Sequence, residues 1–68
     1  MKISYKGLRI RMAEKNIRAA DIVKNANVSQ ATMTRINRGE STSLSILYEI
    51  CKYLDCNIGD IVKFIYDE

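Results

Sequence analysis

The stretch IRAADIVKNANVSQATMTRINRG, residues 17–39, constrains the fold of this chain more than any other segment. Apolar residues recur at helical spacing on both sides of Asn27, and asparagine is one of the few non-glycine residues that tolerate a positive φ angle. Ser29 is a good N-cap for a second helix, and Gly39 suits the left-handed conformation that ends one. The pattern therefore predicts two short helices joined by a tight turn, over about residues 18–38.

The second of these helices, at about residues 30–37, has two faces of opposite character. At about 100° per residue, Met33 and Ile36 fall on an inner face. The outer half carries amide, methyl, hydroxyl and guanidinium groups, on Gln30, Ala31, Thr34, Arg35 and Arg38. Such groups read base edges and bind the phosphates of nucleic acids. The helix pair therefore favours a protein that lays its second helix in the major groove of DNA.

The charges of the chain are unevenly distributed. Residues 1–38 hold nine Lys/Arg and two Asp/Glu, a net charge of +7. Residues 39–68 hold two Lys/Arg and six Asp/Glu, a net charge of −4, which gives +3 for the whole chain. A basic half that carries the polar helix is typical of a polyanion binder, although chance clustering on a solvated surface would give the same count. Together with the helix pair, the charge pattern favours DNA binding.

Three further helices are predicted outside the pair: one over about residues 6–15, one after the cap Ser43 and a short one after the cap Asn57. Their apolar positions recur at helical spacing: Leu8 and Met12; Leu44, Leu47, Ile50, Cys51 and Leu54; Ile58, Ile61, Val62 and Ile65. Residues 3–5 alternate apolar and polar side chains, which suits either a short strand or an arm. The sequence therefore predicts a compact all-α bundle of about five short helices, as one domain over residues 1–68.

Several classes of function find no support in the composition. The chain has no histidine, no nucleophile–base motif and no glycine-rich phosphate loop, so we expect no enzyme, cofactor or small-molecule ligand. Cys51 and Cys56 are too few for a structural zinc site, and Cys51 fits core packing. No apolar run approaches the roughly 20 residues that span a bilayer, and the first residues lack the features of a signal peptide. We therefore expect no metal, no membrane contact and a cytoplasmic location.

Order and spacing along nearly all 68 residues match one family. The matching residues are Ile17, Ile22, Val28-Ser29, Thr32-Met33 and Arg35-Ile36-Asn37-Arg38-Gly39, with ISYKGL before them and SLSILYEICKYLDCNIGDIVKFI after them. The chain thus resembles small single-domain members of the Cro/CI (XRE) family of bacterial and phage transcription regulators. The resemblance implies a lambda repressor-like DNA-binding domain with a helix-turn-helix at residues 18–38.

The chain also departs from this family at contact positions. Many members have a glutamine that contacts DNA where this chain has Ala19. Many also join the first helix to the end of the recognition helix through an Arg–Glu pair, and here those positions are Met12 and Asn37. Because both partners of the pair are missing together, no unpaired charge is left buried. The absence of the glutamine removes one expected DNA contact.

The polar helix face and the segments beside it supply the candidate DNA contacts. We expect base contacts from four residues: Gln30, Ala31, Thr34 and Arg35. A glutamine pairs well with adenine and an arginine with guanine. We expect phosphate contacts from six residues: Arg18, Ser29, Thr32, Arg38, Ser41 and Thr42. The sequence therefore predicts a sequence-specific regulator of transcription that binds double-stranded DNA.

A single recognition helix reads only a few base pairs, so we expect a homodimer on a palindromic site. The aromatic residues of the C-terminal half, Tyr53, Phe64 and Tyr66, are candidates for the contact, as are residues 3–5; all of these could equally complete the core of the monomer. The acidic, aromatic-bearing second half also supports an alternative function. In that alternative, the chain is a protein-interaction module, such as an antitoxin or co-regulator of an operon partner.

Overall fold

A computed structural model describes residues 2–66. Along the chain these form β1 (Lys2–Ser4), α1 (Lys6–Glu14), α2 (Ala19–Asn25), α3 (Gln30–Asn37), α4 (Leu44–Leu54), α5 (Ile58–Ile61) and β2 (Lys63–Ile65). The predicted bundle of five short helices is confirmed. The two strands pair antiparallel, with Ile3 opposite Phe64, so a small sheet accompanies the helices.

The core confirms most of the apolar positions expected from helical spacing. Its buried apolar members are Tyr5, Leu8, Ile22, Ala26, Val28, Met33, Ile36, Leu47, Ile50, Cys51, Leu54 and Ile61. Leu44 and Ile58, which were expected to face inward, are exposed. Each is the first residue of its helix, so it precedes the turns that pack on the rest of the chain.

The C-terminal segment corrects one prediction. The pattern of Ile58, Ile61, Val62 and Ile65 suggested one helix, but α5 ends at Ile61 and Val62 is extended. Ile65 instead pairs with Lys2 in the sheet. A stretch rich in β-branched and aromatic residues favours a strand where a neighbouring strand can satisfy its backbone groups, and β1 provides that neighbour.

The predicted turns and caps are confirmed. Asn27 has a φ of 58° between α2 and α3, and Gly39 has a φ of 79° after α3. The Ser29 hydroxyl accepts a hydrogen bond from the backbone N–H of Thr32 at 3.1 Å, and Ser43 caps α4 in the same way. These local signals fix the angle at which α3 leaves the turn and the residue at which it ends.

Tyr5 shows how the N-terminal segment joins the rest of the molecule. It is buried, and its hydroxyl donates a hydrogen bond to the carbonyl oxygen of Glu40 at 2.7 Å. Burial also raises the pKa of this phenol. The contact ties the start of α1 to the loop that follows α3.

Candidate nucleic-acid interface

Helix α3 presents the polar face that the sequence predicts. Met33 and Ile36 are each 1% exposed and hold the helix against the core. Gln30, Ala31 and Arg35 are exposed on the opposite side, and Thr34 is half-buried beside them. The four predicted base-reading residues therefore share one accessible face of a helix whose other face is fixed.

The side chains of Gln30 and Arg35 are available for new hydrogen bonds. Within residues 2–66, the structure assigns neither side chain a hydrogen bond or an ion pair. The Thr34 hydroxyl donates to the carbonyl oxygen of Gln30 at 3.0 Å and keeps its acceptor lone pairs. The face thus offers an amide, a guanidinium and a hydroxyl oxygen, without a competing carboxylate among these residues.

Thr32 is the one predicted contact that the structure buries. It is 4% exposed, and its hydroxyl oxygen accepts a hydrogen bond from Ser29 at 2.9 Å. Its side chain lies at the buried edge of α3, where it completes the cap made by Ser29. A buried hydroxyl offers a phosphate almost no surface, so we do not retain Thr32 among the proposed contacts.

The remaining candidates for phosphate binding lie at the ends of the helix pair. Arg18 and Ser29 are exposed at the starts of α2 and α3, and Ser41 is exposed in the loop after α3, beside the half-buried Thr42. The start of α2 is less open to an anion than expected. The carboxylate of Asp21 already accepts a hydrogen bond from the backbone N–H of Arg18 at 2.9 Å.

Arg38 lies immediately after α3 and forms an ion pair with Glu40 at 3.9 Å. Both side chains are largely exposed, and such surface pairs hold their partners weakly. A phosphate can therefore replace Glu40 at this guanidinium with little loss. Arg38 therefore remains an accessible candidate for phosphate binding at the end of α3.

Arg9 is a further basic residue at this end of α3, and it is not among the six residues predicted from sequence to contact phosphate. Its guanidinium donates a hydrogen bond to the carbonyl oxygen of Asn37 at 3.3 Å. Arg9 precedes Met12 by one helical turn, so the two positions lie on the same side of α1. The available signal was its one-turn spacing from Met12, a position that the family resemblance pairs with Asn37.

Both cysteines are free thiols, with Cys51 buried in the core and Cys56 half-buried. Burial, together with the neighbouring Cys56, raises the pKa of the Cys51 thiol to about 11. The Cys51 thiol therefore stays protonated near neutral pH. Within the described part of the chain, no group of three or more potential side-chain ligands could hold a metal ion.

No helix among residues 2–66 has both the length and the apolar character that crossing a membrane requires.

Comparison with known proteins finds two similarities. Residues 7–67 match the model of the Cro/C1-type helix-turn-helix DNA-binding domain. A crystal structure of the transcriptional regulator VanUg is similar to this chain, with a TM-score of 0.90 and 27% sequence identity, over 97% of this chain and 88% of that one. No curated protein sequence matches the chain. Both similarities include α2, the turn and α3.

Proposed function

The chain belongs to the Cro/C1-type helix-turn-helix DNA-binding family, and we propose that it regulates transcription in the cytoplasm by binding specific sequences of double-stranded DNA. In this proposal α3 lies in the major groove. The observation that carries it is the two-sided environment of α3, in which Met33 and Ile36 are buried while Gln30 and Arg35 are exposed. The similarity to VanUg, a transcriptional regulator, supports the same conclusion.

The chemistry of the exposed face suggests how bases are distinguished. Arg35 can donate two hydrogen bonds to guanine, and Gln30 can pair with adenine through its amide. Ala31 offers an apolar contact to a thymine methyl group, and Thr34 offers a hydroxyl oxygen. A selection from a random duplex library would give the bound sequence and its symmetry.

Replacing either main base contact should weaken binding to the selected site. We expect Arg35→Ala and Gln30→Ala each to cost about 1–3 kcal/mol and to relax base preference at one position. Arg38→Ala is the matched control, because a lost phosphate contact should weaken all sequences about equally. Fluorescence anisotropy with the selected duplex and its single-base variants measures both effects. Unchanged affinity and preference in Arg35→Ala would refute this assignment of the reading face.

We also propose that the protein binds DNA as a homodimer on a palindromic site. Two reading helices about 34 Å apart would double the base contacts. Phe64 and Tyr66 support a contact in the C-terminal part of the chain, because they are 60% and 79% exposed. Tyr5 is buried, and Tyr53 is half-buried and hydrogen-bonded to Asn25, so both are less suited to this role.

Sedimentation of the protein with the selected duplex tests the homodimer. We expect two chains per palindromic duplex, and Phe64→Ser should reduce this to one. The matched variant is Tyr48→Ser, which lies on a different exposed apolar surface formed with Leu44 and Ile58. A loss of dimer in Tyr48→Ser alone would move the interface to that surface. A one-to-one complex of the unaltered protein on a non-palindromic site would rule out the homodimer.

The exposed surface of Leu44, Tyr48 and Ile58 is also what favours the second candidate function, a protein-interaction module. If the chain is such a module, it should form a stoichiometric complex with a protein partner. It should also show no affinity for duplex DNA at low salt.

A further inference from the structure

We propose that Arg9 binds a DNA phosphate at the C-terminal end of α3, so that the DNA-binding surface includes α1 as well as the helix pair. This inference rests on the proposed function. It adds a residue outside the helix-turn-helix segment to the binding surface, and it assigns that residue a second role in positioning α3.

The hydrogen bond between Arg9 and Asn37 completes the end of α3. The last carbonyl groups of a helix have no partner within the helix. In α3, the carbonyl oxygens of residues 34–36 accept hydrogen bonds from the amides that follow them: Arg38, Gly39 and Glu40. The carbonyl oxygen of Asn37 accepts its hydrogen bond from the guanidinium of Arg9.

This arrangement changes the electrostatics of the helix end. The C-terminal end of a helix carries a partial negative charge of roughly half an elementary charge, which repels phosphate. Arg9 and Arg38 place two positive charges there, against the single carboxylate of Glu40. The pair of guanidiniums therefore turns an end that would repel DNA into one that attracts it.

The length of α3 brings this end close to the DNA backbone. Eight residues at a rise of about 1.5 Å each give a helix of about 12 Å, which is about the width of the major groove. When such a helix crosses the groove, its two ends approach the phosphates on either side. Arg9 is exposed and uses one N–H for Asn37, which leaves the other donors of its guanidinium for a phosphate.

The backbone around Arg9 is already held in place. Tyr5 lies one turn earlier, and its hydroxyl donates a hydrogen bond to the carbonyl oxygen of Glu40 at 2.7 Å. The backbone of Ile3 also runs beside Gly39, the residue that terminates α3. The start of α1 is thus fixed against the segment that ends α3, so the backbone of Arg9 does not have to move when a phosphate binds.

The experiment measures the salt dependence of duplex binding by three variants. Arg9→Gln removes the charge but keeps a side-chain N–H donor, and Arg9→Lys keeps the charge. The matched control is Lys52→Gln, which removes an exposed charge on α4. Affinity for the selected duplex and for an unrelated duplex is measured by fluorescence anisotropy over a range of KCl concentrations. Circular dichroism melting confirms that each variant is folded.

We expect Arg9→Gln to make the slope of log K against log salt shallower by about 0.9 per subunit, as the loss of one phosphate contact requires. Its affinity should fall several-fold on both duplexes. Arg9→Lys should keep most of the slope, and Lys52→Gln should match the unaltered protein. If the unaltered protein binds with a steep slope and Arg9→Gln retains that slope, Arg9 only positions α3 and this inference is wrong. If the unaltered protein shows no salt-dependent binding to duplex DNA, the proposed function itself fails.

Discussion

Gly7→Ala should destabilise the protein by about 3 kcal/mol or more, which is a large share of the roughly 3–10 kcal/mol expected for a domain of this size. In the structure, α1 and α5 are in such close contact that a Cβ atom on Gly7 would overlap the carbonyl oxygen of Asp60. Backbone atoms cannot move aside as a flexible side chain can. Helix α5 would therefore shift, and it would take with it Ile61, which is buried in the core, and the ion pair between Arg11 and Asp60.

Gly59→Ala is the matched control for this prediction. Gly59 lies in α5, and a Cβ added there meets no atom within 4 Å. Because alanine is favoured over glycine in helices by about 1 kcal/mol, this variant should be neutral or slightly more stable. Urea denaturation followed by circular dichroism gives both free energies of unfolding. If the two glycine variants lost the same stability, the close contact of α1 with α5 would not be the cause.

The sequence could predict features that depend on neighbouring residues, but not those that depend on contacts between distant parts of the chain. Asn27, Ser29 and Gly39 act on their own turns, so their residue types were sufficient to place the ends of the helix pair. The requirement for glycine at residue 7 comes from Asp60, which is distant in sequence, and no local pattern reports it. The pairing of β1 with β2 likewise joins residues from opposite ends of the chain. Helical spacing therefore predicted the five helices but extended the last one into β2.

In the candidate site, too, features set by local sequence could be predicted, whereas features set by contacts between distant residues could not. The polar face of α3 follows from periodicity, so Gln30 and Arg35 could be assigned from sequence. Thr32 lies at the edge of that face, where a difference of a few tens of degrees decides between solvent and core, and the structure buries it. The contact of Arg9 with Asn37 joins α1 to the end of α3, and helical spacing could indicate a side of α1 but not this contact between two helices.

For each bound subunit, the affinity for duplex DNA should fall by a factor of about 250 to 1000 when the salt concentration rises from 50 to 200 mM, and a dimer should show about the square of this factor. This estimate follows if each subunit neutralises about four to six phosphates, which gives a slope of log K against log salt of roughly −4 to −5. The number of contacts is reasonable because residues 1–38 carry nine Lys/Arg, among them Arg18 and Arg38 at the ends of the helix pair.

Anisotropy titrations at several KCl concentrations measure that slope. Comparing the selected duplex with an unrelated duplex separates phosphate contacts from base contacts. Phosphate contacts release counterions on any sequence, so the selected and the unrelated duplex should both show steep slopes. Base contacts from Gln30 and Arg35 should instead appear as a constant ratio between the two affinities, because hydrogen bonds to bases release few ions. A slope near zero on both duplexes would contradict DNA binding. Steep slopes with equal affinities for the selected and the unrelated duplex would mean that the basic half of the chain binds DNA but that α3 does not read its sequence.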